Sequence, residues 1–541
     1  PGLVFWENLE ALLTKKADEL EPQGVANVLW AFAVLRRKTP PALRNKLEAN
    51  AAEFCGDDER SDYVARRDTS RTQHNNTHNK HPNSFKPYEM TMAFWALTRF
   101  GESVSTGLTL AFEKRCSQCA FRLKPKELAN VSSAYGRIGG GSKVLPLIAE
   151  ACVYDAGLEN FETHEFATTL WGFAKAECRS VDLNIIEMFR EHFVEYVDRF
   201  DPRDVSLTMW ALATLDGNIS MSSMSSSSSM GSSSPTTRSA TPTHTEWVVN
   251  IELAVTKKID KYNPQDLSNL LWAFAKLGYV PDFKFQTAFE EQAIEIIDTL
   301  NSQNLANIAW AYAALGLRGS VNVLPLLSER YEKFIGEEGG FDTSQDDEFV
   351  RYEDTDTDTY IDTGINPGIP SINPTELVMV LWAYAKCGFD PGPDSMKKFE
   401  RACRLVIPKM QPDELTQYVW ACASLRYRPS FSFLQVYESR AESAPARYDT
   451  EAVTLNLWAY ATLGLALGEK LSERFADELE SFTVQTKSAY DNKNTPDAFK
   501  PQDLSLGFWA SAVLVTQPVL CEDDSTMTGD DSIQSSPRRS A

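Results

Sequence analysis

A tryptophan-centred motif recurs along the chain and constrains the fold more than any other feature. Ten of the twelve tryptophans stand in one context, as in LSNLLWAFAKL around Trp272, LANIAWAYAAL around Trp310 and LVMVLWAYAKC around Trp382. An eleventh copy, LANVSSAYGRI, has Ser133 at the tryptophan position, and consecutive copies such as Trp272 and Trp310 are 38 residues apart. A fixed period of this length indicates a repeat protein, in which each unit buries its apolar face against its neighbours.

Each repeat predicts a hairpin of two helices. In one copy Asn263, Pro264 and Asp266 have the order of an N-cap residue, a proline at the first helical position and an acid at the third. Gly278 follows the motif as a stop signal, and the amphipathic segment at 283–298 predicts a second helix. No strand pattern recurs. The sequence therefore predicts an all-α fold, a right-handed α-solenoid of about eleven 38-residue helical-hairpin repeats with disordered insertions.

Four intervals between motif copies exceed the period, and they coincide with polar or low-complexity segments. We expect repeats or parts of repeats at 1–21 (a partial preceding repeat), 22–56 (repeat 1), 87–215 (repeats 2–5), 247–335 (repeats 6–7 with a preceding helix), 373–486 (repeats 8–10) and 501–517 (the last repeat helix). We expect insertions at 57–86 (polar), 216–246 (serine-rich), 336–372 (acidic) and 487–500, and a disordered acidic tail at 518–541.

The composition limits the class of function. The chain has 53 Lys and Arg against 75 Asp and Glu, a net charge of −22, which excludes a globally basic nucleic-acid binder but not a local basic strip. No apolar run is long enough to predict a membrane span. An odd number of cysteines, nine, favours a reducing compartment over a secreted disulfide framework.

Small residues flank the tryptophan position. The residue directly after the tryptophan position is alanine in every copy except one, which has Gly172. The residue three after the tryptophan position is alanine except at Thr98 and Gly136. Small residues allow helices to approach closely while larger ones fill the gaps. We therefore expect consecutive first helices to pack against each other through these positions.

Three positions of the first helix form what we call the polar stripe. The positions seven before, three before and four after the tryptophan fall at about 20°, 60° and 40° around the helix, beside the tryptophan itself. Their side chains include amides and cations in many copies. The candidate binding residues at these positions are Arg99, Lys126, Asn130, Arg137, His164, Lys175, Gln265, Asn269, Lys276, Gln303, Asn307 and Lys386.

Such a ladder suits single-stranded nucleic acid if the first helices line the concave surface of the solenoid. Amides can bond to base edges, cations can meet phosphates, and aromatic rings can stack on bases. Two other interpretations stay open: a recurring tryptophan is more often a packing residue, and polar residues on one helix face are more often simply solvated. The alternative function, a protein-interaction scaffold, would be favoured if acids such as Asp266 and Glu376, six residues before their tryptophans, interrupted the row of basic side chains in the polar stripe.

The segments VANVLWAFAVL, LANIAWAYAAL and LSNLLWAFAKL resemble the leucine- and tryptophan-rich helical repeats of octotricopeptide-repeat proteins, which include chloroplast translation factors of algae, and of the related FAST-kinase-like mitochondrial RNA regulators. The resemblance covers nearly all of the repeat region. It implies a regulator of organellar RNA stability, processing or translation, located in a chloroplast or mitochondrion, with single-stranded RNA (an organellar transcript or rRNA) as partner, alongside protein partners. No RAP domain, in which these families often end, is recognisable.

Signals of catalysis are weak. Cys116 and Cys119 form a CxxC pair without a second pair nearby, and the segment predicts a helix surface or core rather than a metal or redox site. The six histidines form no recognisable catalytic arrangement. We therefore expect a non-catalytic protein without a cofactor or metal.

Overall fold

A computed structural model describes residues 3–56, 84–99, 104–178, 180–216, 246–317, 323–336, 372–489 and 501–516. Throughout these residues the regular structure is helical, with no strand. Most of each predicted insertion, and the whole predicted tail, lies outside the described residues.

The even-numbered helices carry the tryptophan motif and are the first helices of the repeats. Their bounds are α2 Pro22–Val34, α4 Pro87–Thr98, α6 Pro125–Ile138, α8 Thr163–Lys175, α10 Pro202–Leu215, α12 Pro264–Lys276, α14 Ser302–Leu315, α16 Pro374–Cys387, α18 Pro412–Ser424, α20 Thr450–Leu463 and α22 Pro501–Thr516.

The odd-numbered helices are the second helices. Their bounds are α1 Leu3–Lys16, α3 Pro41–Phe54, α5 Thr106–Cys119, α7 Leu145–Glu150 with a π-helical continuation at Ala151–Ala156, α9 Leu183–Tyr196, α11 Glu246–Thr256, α13 Phe283–Glu295, α15 Val323–Ile335, α17 Pro393–Val406, α19 Phe431–Ser443 and α21 Glu469–Ala489. α1 is followed by a 3₁₀ turn, as are α5, α9 and α13, so it has the local structure of a second helix.

The helices divide into two compact units, residues 1–410 and 411–541. In the first unit each first helix from α2 to α16 packs against the next first helix, and second helices such as α9, α11, α13, α15 and α17 pack against each other in the same order. In the second unit α18, α20 and α22 form the corresponding series. Each unit is thus a layer of first helices beside a layer of second helices, which confirms an all-helical fold with repeat-like packing between neighbours.

The core lies between the two layers and between consecutive first helices. Aromatic residues of the motif and of the second helices fill it, as in the contacts of Phe94 with Phe112 at 4.5 Å and with Tyr135 at 4.9 Å between ring centroids. The alanines after the tryptophan position are buried from Ala96 to Ala510, whereas Ala31 in α2 is half-buried. The prediction that small residues lie at the helix contacts is confirmed.

The glycines that replace alanine in the motif meet each other. A Cβ atom on Gly172 in α8 would lie 2.3 Å from the carbonyl carbon and oxygen of Ser132 in α6, and one on Gly136 would lie 3.1 Å from the Cα of Gly172. Atoms cannot approach this closely without a clash. The backbones of α6 and α8 therefore come into contact where Gly136 and Gly172 have no side chains.

Candidate functional site

The polar stripe lies on the surface of the first-helix layer. Lys126, His164, Lys175, Gln265 and Gln303 are exposed. The other seven candidates are half-buried: Arg99, Asn130, Arg137, Asn269, Lys276, Asn307 and Lys386. None of the twelve is buried, although the adjacent small residues of the motif are. Helical periodicity accounts for this, because the stripe positions point away from the neighbouring helices that bury the alanines.

Three motif tryptophans stack on each other next to the stripe in the middle of the first unit. The rings of Trp210 and Trp272 are 6.1 Å apart with an interplanar angle of 27°, and those of Trp272 and Trp310 are 6.0 Å apart at 31°. Trp210 and Trp272 are half-buried, whereas Trp310 is buried. These indoles are packing residues, and two of them also keep part of their surface available beside the stripe.

Two predicted cations converge on one ring. The guanidinium of Arg99 lies 5.0 Å from the centre of the Trp95 ring, and that of Arg137, from the next repeat, lies 5.9 Å from the same ring. Arg137 also donates from Nη1 to the Thr98 hydroxyl at 3.5 Å. Cation–π contacts of this kind fix the side chains beside the indole. Arg99 and Arg137 are thus brought together, whereas Lys175, Lys276 and Lys386 lie on separate helices, α8, α12 and α16.

The pKa of Lys276 responds to this partial enclosure. Burial lowers the pKa of its ammonium group, because a less solvated site disfavours the charged form. An anion next to the amine would raise this pKa again, because it favours the charged form.

The acids six residues before the tryptophan do not enter the stripe. They occupy the third position of the first helices, where Glu89, Glu127 and Glu414 each accept a hydrogen bond from the N-cap backbone N–H at 2.9 Å. Asp266 is 6% exposed at the start of α12, and Glu376 is half-buried and bonded to the Ser302 and Asn373 side chains. Asp266 therefore presents no exposed charge beside the basic strip, whereas the half-buried carboxylate of Glu376 is held by hydrogen bonds at the start of α16.

Sequence reasoning missed one stripe cation, Arg203. It occupies the position seven before Trp210, the same as Lys126 and Gln265 in their repeats, so the pattern itself contained the signal. Arg203 is half-buried. Burial raises the pKa of both Asp204 and Asp266, and the positive charge of Arg203 offsets part of this rise.

The stripe has opposite electrostatic character in the two units. From Tyr88 to Lys386 its positions contain bases and neutral residues but no acid. In the second unit the corresponding positions include Asp413 and Glu451 and, among the residues described, no base. Burial raises the pKa of Asp413, and the nearby Asp449 raises it further. An anionic ligand would therefore be attracted to the first unit and not to the second.

Other chemistry finds little support among the described residues. They contain no group of three or more His, Cys, Asp and Glu side chains placed to hold a metal ion. Cys116 and Cys119 are buried in α5, and burial raises the pKa of both thiols, which disfavours the reactive thiolate. Of the helices described, none combines the length and apolarity needed to cross a bilayer.

Comparison with known proteins gives no assignment. No protein-family model matches the chain, and no curated protein matches it.

Proposed function

We propose that the protein is a non-catalytic RNA-binding regulator that holds single-stranded RNA on the first-helix face of its first unit. In this proposal the repeats form a right-handed solenoid of about eleven hairpins, the first helices line its concave surface, and the RNA is an organellar transcript or rRNA in a chloroplast or mitochondrion. The process regulated is RNA stability, processing or translation.

The observation that carries the proposal is the juxtaposition of cations, amides and indoles along one helical layer. Lys276 and Asn269 flank Trp272, whose ring continues the stack from Trp210 to Trp310. Cations can neutralise phosphates, amides can pair with base edges, and the accessible part of an indole can contact a base. The burial of Asp266 supports the same interpretation, because it removes an exposed negative charge from the path of a phosphate backbone.

Charge reversal on this face tests the proposal. We expect the double variant Lys276→Glu, Lys386→Glu of the full chain to lose most of its ultraviolet crosslinking to single-stranded RNA, because two attractive sites become repulsive. The matched control is Lys284→Glu, Arg401→Glu, which places the same charge changes on the exposed surface of the second helices α13 and α17 of the same repeats. Equal crosslinking by both variants would remove the proposed face.

A protein-interaction scaffold is the alternative function, and the stripe of the second unit favours it. Asp413 and Glu451 replace the bases of the first unit there. A scaffold would leave RNA crosslinking weak in the wild-type chain and insensitive to the first-unit reversals.

A further inference from the structure

Consecutive first helices contact each other through fixed positions of the motif. Asn304 of α14 lies six residues before its tryptophan and donates from Nδ2, at 3.1 Å, to the hydroxyl of Ser268 of α12, which lies four before. Asn456 of α20 lies two before its tryptophan and donates, at 2.8 Å, to the hydroxyl of Thr416 of α18, again four before. The same position of the earlier helix is thus used at both junctions.

The glycine contact adds the remaining positions. Gly172 of α8, one after its tryptophan, lies against Ser132 and Gly136 of α6, which are one before and three after the tryptophan position. Each first helix therefore has two contact faces. The leading face consists of the positions six and two before and one after the tryptophan, and it packs against the preceding first helix. The trailing face consists of the positions four and one before and three after, and it packs against the following first helix.

One trailing face and one leading face are uncovered in the described part of the chain. On the trailing face of α22, Phe508 is 81% exposed, whereas the residues at the same position of α2 to α18 are buried. On the leading face of α2, Val28 and Ala31 are half-buried, whereas the corresponding residues of α4 to α20 are buried. Leu35, one turn beyond Ala31, is exposed. Each of these faces lacks the neighbouring helix that covers it elsewhere.

The motif tryptophans differ in exposure in the same way. Trp30 of α2 and Trp509 of α22 are 45% and 47% exposed, whereas the other eight are half-buried or buried. Trp272 shows what the neighbours contribute, because it is stacked between the indoles of α10 and α14 at 6.1 Å and 6.0 Å. The exposed surface at α2 and at α22 is therefore apolar and aromatic, and surface of this kind commonly marks an interaction site.

The junction of α4 with α6 shows how a phenylalanine on a trailing face is accommodated. Phe94 lies one before the tryptophan of α4, is fully buried, and contacts the ring of Tyr135 in α6 with 4.9 Å between centroids. The leading face of α6 has Val131 two before and Ala134 one after the tryptophan position. A phenylalanine on one helix thus packs beside a helix that carries valine, alanine and an aromatic residue.

The two uncovered faces repeat this combination. α22 has Phe508 at the position of Phe94, and α2 has Val28, Ala31 and the aromatic Phe32 where α6 has valine, alanine and tyrosine. Neither face contains a charged residue, so their contact would bury no charge. The trailing face of α22 is therefore complementary to the leading face of α2 in residue type.

We infer that the trailing face of α22 packs against the leading face of α2 in a second copy of the chain, so that copies associate head to tail. The contact continues, between molecules, the packing that first helices use within the chain, and it brings Trp509 beside Trp30 of the other copy. Two different surfaces meet, so the association extends beyond two copies unless a ring closes. This inference is independent of RNA binding.

Sedimentation velocity of the full-length protein over about a hundred-fold range of concentration tests the association. We expect the average mass of the wild type to increase with concentration. Phe508→Glu and Ala31→Glu each place a charge in one of the two apolar faces, and each should raise the dissociation constant at least about ten-fold. An equimolar mixture of the two variants should form dimers and nothing larger, because each variant keeps one intact face.

The matched control is Phe283→Glu, which alters a phenylalanine that is 83% exposed at the start of α13 in the layer of second helices; it should associate as the wild type does. Leu35→Glu, at an exposed position, replaces Ala31→Glu if that variant melts at a lower temperature. A wild type that stays monomeric, or a Phe283→Glu variant that loses as much association, would overturn the inference. Undiminished association of Phe508→Glu or of the α2 variant alone would do the same, because it would show that the two faces do not meet.

Discussion

At the scale of single residues, the positions where the motif departs from alanine are points of close contact between helices. Gly136 and Gly172 stand where most repeats have alanine, in adjacent repeats. They face each other where the backbones of α6 and α8 are in contact. Ser133 stands at the tryptophan position in the same helix and is buried. A smaller residue there and glycines at the contact are both consistent with a locally tighter junction.

We expect Gly172→Ala to destabilise the protein by about 3 kcal/mol or more, because its methyl group would overlap the Ser132 backbone, which cannot rotate away. Thermal unfolding followed by circular dichroism measures the effect. Gly107→Ala in α5 is the matched control: nothing lies within 4 Å of its added Cβ, so this change should be neutral or stabilising by up to about 1 kcal/mol. Equal melting temperatures for the two variants would contradict the close contact.

At the scale of the helix, one position after the motif has a left-handed backbone in most of the described hairpins. The residue six after the tryptophan has a left-handed backbone at Gly278, Gly316, Gly388 and Gly464, with φ between +65° and +68°. The same position has positive φ at Arg36, Glu177 and Arg426, where no glycine is present. At these three positions the turn geometry overrides the residue type, although residues with a Cβ are strained in this conformation. Asp216, at the same position after Trp210, instead has a right-handed backbone with φ −69°.

This strain predicts opposite effects at equivalent positions. Glu177→Gly should stabilise the protein, and Gly388→Ala should destabilise it, each by about 1 kcal/mol, because only the backbone preference changes. Gly388 has open space around its missing Cβ, so no clash contributes. Differential scanning calorimetry measures both shifts. A lower melting temperature for Glu177→Gly would show that the side chain contributes more than the strain costs.

At the scale of the whole molecule, the charge of the polar stripe differs between the two units, although the chain as a whole is acidic. The chain carries a net charge of −22, yet the polar stripe of the first unit contains no acid from Tyr88 to Lys386. Asp413 and Glu451 mark the change of sign in the second unit. Net charge alone would have argued against a polyanionic ligand, whereas the distribution on one face favours it.

Salt dependence is the whole-molecule test of that distribution. We expect log affinity for oligouridylate to fall linearly with log salt concentration, and the slope to shrink by at least about 1.4 in Lys276→Glu, Lys386→Glu, because each phosphate contact on a single strand contributes about 0.7. Fluorescence anisotropy at several salt concentrations gives the slope. The second-helix variant Lys284→Glu, Arg401→Glu should keep the wild-type slope. If it loses as much, the charge effect is general rather than specific to the stripe.

The amino-acid sequence by itself determined the helical hairpins, the buried alanines and the surface position of the polar stripe. These features follow from local periodicity: the spacing of Trp272, Asn269 and Lys276 within one helix decides which of them share a face. The glycine at 278 and the cap at Asn263 likewise act within their own turn, so their effects could be predicted without a neighbour.

Only the tertiary structure decided which side chains from different repeats meet. The stack of Trp210 on Trp272 and the burial of Asp266 depend on the packing of α10 against α12, whose motif copies are not separated by the 38-residue period. Burial, and with it the pKa of a carboxyl group, depends on what a neighbouring helix places against it. The sequence shows only that an acid stands at position 266. The packing of the helices buries that carboxyl group and thereby raises its pKa to about 7.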